Sequence, residues 1–175
     1  MTHTGAQTKA AAGISFDELL RHNEEETEHW HEFFRQHADA LDLTIDMAQS
    51  EDVRAMLVHI MAVELLYTER IQGITREKVS LSDFPSGSVD ELFSTGARAR
   101  AAFRSMLARY TDAEWNEVVE FGTRTSGGLR ASRRKMFAHT MFHSMRHWAQ
   151  LATTLRQNDL KQDWQHDFIF SNVIE

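Results

Sequence analysis

Residues 131–157, ASRRKMFAHTMFHSMRHWAQLATTLRQ, contain neither proline nor glycine and carry apolar side chains at helical spacing. On an ideal helix these side chains fall within one arc, which holds Phe137, Met141, Met145, Trp148, Leu151, Ala152 and Leu155. A helix that is apolar on one side packs that side against a core. The stretch therefore predicts a long helix in a helical domain.

The same cap motif, a serine followed three residues later by a glutamate, starts two more predicted helices. It occurs at Ser15 and Glu18, before a helix to about Leu43, and at Ser88 and Glu91, before a helix to about Tyr110.

Another helix is predicted over residues 51–73, EDVRAMLVHIMAVELLYTERIQG. Ser50 precedes it, acidic residues follow in its first turn, and Gly73 stands at its natural end. Apolar side chains occur almost all the way round this helix, so we expect neighbours to cover it on nearly every side.

The connections between these helices suggest the fold. Residues 75–88 hold the only proline and predict a loop, while residues 111–132 predict a structured linker with an extended turn through Val118–Phe121. Four long helices predict an all-α four-helix bundle, and the long second and third connections favour neighbours that do not simply alternate in direction. We expect a flexible N-terminus over residues 1–14 and a single domain over residues 15–175, in which the apolar tail from residue 161 packs back on the body.

Composition excludes several classes of protein. The chain has no cysteine, so any soft metal must be held by nitrogen and oxygen ligands. A formal net charge of −7 without a basic face argues against nucleic-acid binding. No run of eighteen apolar residues and no leader-like apolar segment occurs, which predicts a cytoplasmic protein that does not enter membranes.

Three of the ten histidines stand at four-residue intervals in the last predicted helix: His139, His143 and His147. The outer two are about 12 Å apart along an ideal helix, too far to share one ion, so at most an adjacent pair can bind it. His143 and His147 lie nearer the apolar arc, whereas His139 lies on its shoulder. His143 and His147 are therefore the better candidates for metal ligands.

A third ligand should come from another helix, and His59 is the best candidate because it lies midway along the helix that is apolar nearly all round. Burying an imidazole costs free energy unless its nitrogens find partners, and a metal is one such partner. The alternative is that His59 is a hydrogen-bonded core residue and that the other pair lies on a solvated face.

Four further residues are candidates for supporting roles near such a site. His22, beside Asn23 in the first helix, can approach its open side. Glu64 and Gln150 can orient ligand imidazoles, although a glutamate in this position can equally pair with an arginine. The role of His139 is left open.

Two segments together, MLVHIMAVELLYTERI and FAHTMFHSMRHWAQLATTLRQ, resemble the DinB/YfiT-like superfamily of bacterial bundle proteins. The resemblance implies an up-down-down-up bundle with a divalent metal such as zinc or nickel. It places His59 at the ligand position of the second helix and His143 and His147 at those of the last helix. Where many members have His-Arg-Gly-Gln, this chain has His147-Trp148-Ala149-Gln150, so that arginine is missing here.

The resemblance also implies a metal-dependent transferase that attaches a low-molecular-weight thiol to a small electrophile, with the metal lowering the pKa of the thiol. One alternative is a metal-dependent hydrolase, with Glu64 or a side chain of the first helix as general base. Another is a non-catalytic bundle that binds a metal or small molecule and forms a homodimer through Phe142 and outward apolar residues of the second helix. The plainest is a bundle whose histidines bind no metal.

Overall fold

A computed structural model describes residues 13–173 of the chain, except positions 48–49, 75, 77–78 and 123–126. The predicted N-terminal segment therefore lies, up to residue 12, outside the described residues. Within them the chain forms the helices α1 (Phe16–Gln36), α2 (Val53–Ile71), α3 (Val89–Arg109), α4 (Asp112–Asn116) and α5 (Arg133–Gln157). Two antiparallel hairpins join β1 (Thr44–Met47) to β2 (Ser50–Asp52) and β3 (Val118–Phe121) to β4 (Leu129–Ser132). The predicted all-α bundle is confirmed.

The helix caps follow the sequence at α1 and α3. Ser15 and Glu18 form a reciprocal capping box at the start of α1, and Ser88 and Glu91 form one at the start of α3. Each box satisfies backbone N–H groups that have no partner within the helix. Both predicted starts are correct.

The predicted C-terminal end of the first helix and the predicted N-cap of the second were wrong. The first helix ends at Gln36 rather than near Leu43, because His37 leaves helical backbone angles and the chain continues as a 3-10 turn over Ala38–Asp42. Asp52 rather than Ser50 caps α2, with its carboxylate accepting a hydrogen bond from the N–H of Ala55 at 2.7 Å. Ser50 is not available as a cap because it pairs in strand β2.

The linker between α3 and α5 is more regular than predicted. The expected extended segment is β3, and it pairs with β4, which lies in the stretch predicted as the end of the linker and the start of the last helix. Helix α5 accordingly starts at Arg133 rather than Ala131. The short helix α4 was missed, because five residues are too few to show helical periodicity.

Side-chain contacts give the directions of the long helices. The ring centroids of Phe16 and Phe137 are 4.6 Å apart, and those of Trp30 and Trp148 are 5.3 Å apart. The start of α1 thus lies against the start of α5 and the later part of α1 against the later part of α5, so the two helices run parallel. Toward α3, Arg54 of α2 contacts the carbonyl of Gly87, two residues before the start of that helix, and Glu64 contacts Arg100. Toward α5, Tyr67 contacts His139 and His59 contacts His147. Helix α2 is therefore parallel to α3 and antiparallel to α5, which is the up-down-down-up arrangement.

A buried polar layer crosses the middle of the bundle. Glu64 is fully buried and accepts hydrogen bonds from Arg100 Nη1 at 2.7 Å and from Ser144 Oγ at 2.8 Å. The core has two apolar clusters, one that includes Trp30 and Trp148 and another that includes Phe103 and Phe137. The polar layer lies between these two clusters. Other buried polar residues of the long helices are Asn23, Thr27, Thr68 and Thr140.

The C-terminal tail packs against α1, as predicted. The buried carboxylate of Glu26 accepts hydrogen bonds from Trp164 Nε1 at 3.0 Å and His166 Nδ1 at 2.6 Å. Farther along the tail, Val173 is buried. Among the described helices, none has the length and apolar character required to cross a bilayer.

Candidate metal centre

Three imidazoles converge where α2 lies against α5. His143 Nε2 is 3.1 Å from His59 Nε2 and 3.2 Å from His147 Nε2. One ligand atom from each of the three histidines lies within 4.8 Å of the other two. The structure thus brings together the three residues that the sequence singled out as candidate ligands.

These separations fit nitrogen ligands around one ion. With Zn–N bonds of about 2.0–2.1 Å, two nitrogen ligands of a tetrahedral zinc lie about 3.3 Å apart. The observed distances of 3.1 and 3.2 Å are close to that value. The three-histidine group can therefore hold a divalent metal without rearrangement of the two helices.

Gln150 fixes the tautomer of His147. Its amide oxygen lies 2.7 Å from His147 Nδ1, and an amide oxygen can only accept a hydrogen bond. The ring proton of His147 is therefore on Nδ1, and Nε2 presents a lone pair to the group. Gln150 is thus placed to orient a ligand imidazole, the role that the sequence suggested for it.

Burial disfavours the charged form of two of the three histidines, His143 and His147. His147 is 8% exposed, and the other two histidines are half-buried. The pKa of His143 is lowered to about 2, mainly by burial and further by the nearby imidazoles of His147 and His59. Burial also lowers the pKa of His147. Neutral imidazoles are the form that binds metals.

His139 is exposed and lies outside the group, at the shoulder position indicated by the helical wheel. Its ring is 5.9 Å from the ring of His143 and 5.0 Å from that of Tyr67. Tyr67 in turn contacts Phe121 of β3 at 6.0 Å. An aromatic row, Phe121–Tyr67–His139–His143, therefore leads from the β3–β4 hairpin to the three histidines.

Two other candidates lie elsewhere. Glu64 contacts Arg100 and Ser144 in the polar layer, which is the arginine pairing that the sequence left open. His22 packs against Phe168 of the tail, with ring centroids 4.9 Å apart, and burial lowers its pKa. Within the described part of the chain, the three-histidine group includes no side chain from α1.

Arg146 was not among the site residues predicted from the sequence. Its Nη2 lies 3.1 Å from His147 Nε2, so the guanidinium donates a hydrogen bond to the lone pair that faces the group. Its position directly before a candidate ligand was the only available signal. On an ideal helix Arg146 lies beside His139, on the polar side, which gave no reason to assign it to the site.

Comparison with known protein families is consistent with this geometry. The model of the DinB family matches residues 6–162, which include all four long helices and the three histidines. The chain therefore belongs to the DinB family, and the resemblance seen in the sequence is confirmed. No curated protein sequence matches the chain.

Proposed function

We propose that this DinB-family protein binds a divalent transition metal, zinc or nickel, through Nε2 of His59, His143 and His147. The observation that carries the proposal is the convergence of the three nitrogens at separations suited to one ion. A chain without cysteine must hold such a metal through nitrogen or oxygen ligands, and imidazole nitrogen suits zinc and nickel.

We further propose that the metal serves the transfer of a low-molecular-weight thiol to a small electrophile. Three protein ligands leave positions open, and a divalent metal there supplies Lewis acidity that lowers the pKa of a thiol. In the overall reaction the thiol sulfur forms a bond to an electrophilic carbon, the leaving group departs with the electron pair of the broken bond, and the thiol proton passes to solvent. A cytoplasmic location is part of this proposal, because small thiols are kept reduced there.

The chain's own residues support the site in two ways. Gln150 holds the ring of His147 with Nε2 toward the group. Burial disfavours protonation of His143, so a proton does not compete for its nitrogen at neutral pH.

The position of Glu64 bears on the hydrolase alternative. A general base must reach the reacting water, but Glu64 is fully buried and its two carboxylate oxygens are engaged by Arg100 and Ser144. This arrangement favours the transferase over a hydrolase that uses Glu64.

Metal analysis of protein purified without chelator tests the site. We expect near-stoichiometric metal in the parent, loss of that metal in His59→Ala and His143→Ala, and retention in His139→Ala. The last variant is a matched control, because His139 is on the same helix one turn from His143 but outside the group. Far-ultraviolet circular dichroism should show the same helix content in all four proteins. A metal-free parent that also fails to take up zinc or nickel would contradict the proposal.

The reaction is tested by incubating the metal-loaded parent with several small thiols and a model electrophile. We expect thiol and electrophile to disappear in equal amounts, at a rate that falls to background in His143→Ala. Stoichiometric metal binding without turnover of any thiol would instead support the non-catalytic alternative.

A further inference from the structure

Arg146 is an exposed cation directly beside the three-histidine group. Its guanidinium donates to His147 Nε2 at 3.1 Å. In the described part of the chain, no carboxylate lies within salt-bridge distance of it, whereas the bundle arginine Arg100 pairs with Glu64. Arg146 therefore carries a positive charge at the site that no carboxylate of the described residues pairs with.

A metal and Arg146 compete for the same lone pair. His147 Nε2 cannot coordinate an ion while it accepts the guanidinium hydrogen bond, so metal binding must release Arg146 from it. Arg146 directly precedes His147 in the chain, and its side chain is exposed. The guanidinium can therefore turn toward a molecule that binds at the site. Its donors and its charge are then free for that molecule.

The surroundings of Arg146 favour an anion as that molecule. A second cation, Arg70, lies over the Tyr67 ring at 5.0 Å and near the Phe121 ring at 6.0 Å, along the aromatic row. Glu69 acts electrostatically on Arg70, so the positive charge of this row that has no carboxylate partner among the described residues is centred on Arg146, in a protein whose formal net charge is −7. A cation of this kind attracts a small anion that the rest of the acidic surface repels.

We propose that Arg146 binds a carboxylate group on the thiol that reacts at the three-histidine group, and so selects acidic thiols over neutral ones. This inference rests on the proposed function, and it adds the chemical class of the thiol. A guanidinium suits a carboxylate because its planar N–H groups form paired, charge-assisted hydrogen bonds with the two oxygens.

The test compares two thiols of equal length, 3-mercaptopropionate and 3-mercapto-1-propanol, on cobalt-loaded protein. Binding of either thiol is followed by the visible absorption of the cobalt and requires no turnover. We expect the acid to bind the parent about tenfold more tightly than the alcohol, since a hydrogen bond to a charged group is worth about that factor. The preference should weaken as salt concentration rises.

Three variants separate recognition from a structural effect. In Arg146→Gln the acid and the alcohol should bind within about twofold of each other, and Arg146→Lys should retain part of the preference, because lysine keeps the charge without the paired geometry. Arg156→Gln is the matched control, since Arg156 is an exposed arginine in the last turn of the same helix. It should keep the full preference.

Cobalt affinity provides an independent measurement. Because Arg146 competes for His147 Nε2, Arg146→Gln should bind cobalt at least as tightly as the parent. Loss of cobalt from this variant would overturn the inference and show that Arg146 only maintains the site. Cobalt binding by the parent with equal affinity for the two thiols would also overturn it, while leaving the metal site intact. A parent that takes up no cobalt would contradict both proposals.

Discussion

Replacing Arg100 with methionine should destabilise the bundle more than the loss of any exposed ion pair. Arg100 Nη1 lies 2.7 Å from Glu64 Oε2, with side-chain exposures of 10% for Arg100 and 0% for Glu64. Without the guanidinium, the hydroxyl of Ser144 is the one donor that the described residues still offer to the buried carboxylate. Breaking a buried pair from one side in this way costs about 3–5 kcal/mol. We expect about 3 kcal/mol here, because the slight exposure of Arg100 lets water approach.

The assays are urea unfolding and thermal unfolding of the metal-free protein, both followed by circular dichroism. For a chain of this size, a loss of about 3 kcal/mol corresponds to a melting temperature lower by about 6–12 °C. A double variant, Glu64→Gln with Arg100→Met, should recover about 2 kcal/mol of the loss, because the uncompensated charge is gone while the amide can still accept from Ser144.

Arg104→Met is the matched control, since Arg104 pairs with Glu24 on the surface and its side chain is 63% exposed. Exposed pairs contribute about 0–1 kcal/mol, so this variant should stay close to the parent. Equal destabilisation by the two methionine variants, or no recovery in the double variant, would refute the reasoning that desolvation of Glu64 sets the cost.

Three other predictions concern the metal site and its surroundings. Burial holds the pKa of His143 at about 2, below the ordinary value of about 6.5, so the unfolded chain binds more protons between these values. The free energy of unfolding of the metal-free protein should therefore fall as the pH drops below about 6.5, by about 1 kcal/mol per pH unit for such a histidine, and His143→Asn should flatten the slope between about pH 6.5 and 5. Gln150→Leu should weaken zinc binding about 10–100-fold in a competition titration, because the ring of His147 loses the acceptor on Nδ1; an unchanged affinity would exclude an orienting role. We also propose that Phe142, which is 59% exposed, lies in a homodimer contact, so Phe142→Ser should shift sedimentation toward the monomer, and a parent already monomeric at micromolar concentration would rule this out.

The local signals in the sequence were sufficient for most of the helices. The serine–glutamate caps located the starts of α1 and α3, and Gly73, with φ of +80°, stands just past the end of α2. These features act within one turn of the chain, so they can be read without knowing the fold. The short helix α4 and the partner of strand β3 could not be read in this way, since neither has a periodic pattern of its own.

The sequence by itself determined which histidines share a helix face and which helices are long enough to form the bundle, because helical spacing is a local property of the chain. Only the tertiary structure decided how the helices meet. Glu64 and Arg100 are 36 residues apart, and His59 and His143 are 84 apart, so their contacts depend on the directions and rotations of packed helices. Arg146 and His147 are neighbours in the chain, and their contact depends on side-chain conformations that helical spacing alone does not show.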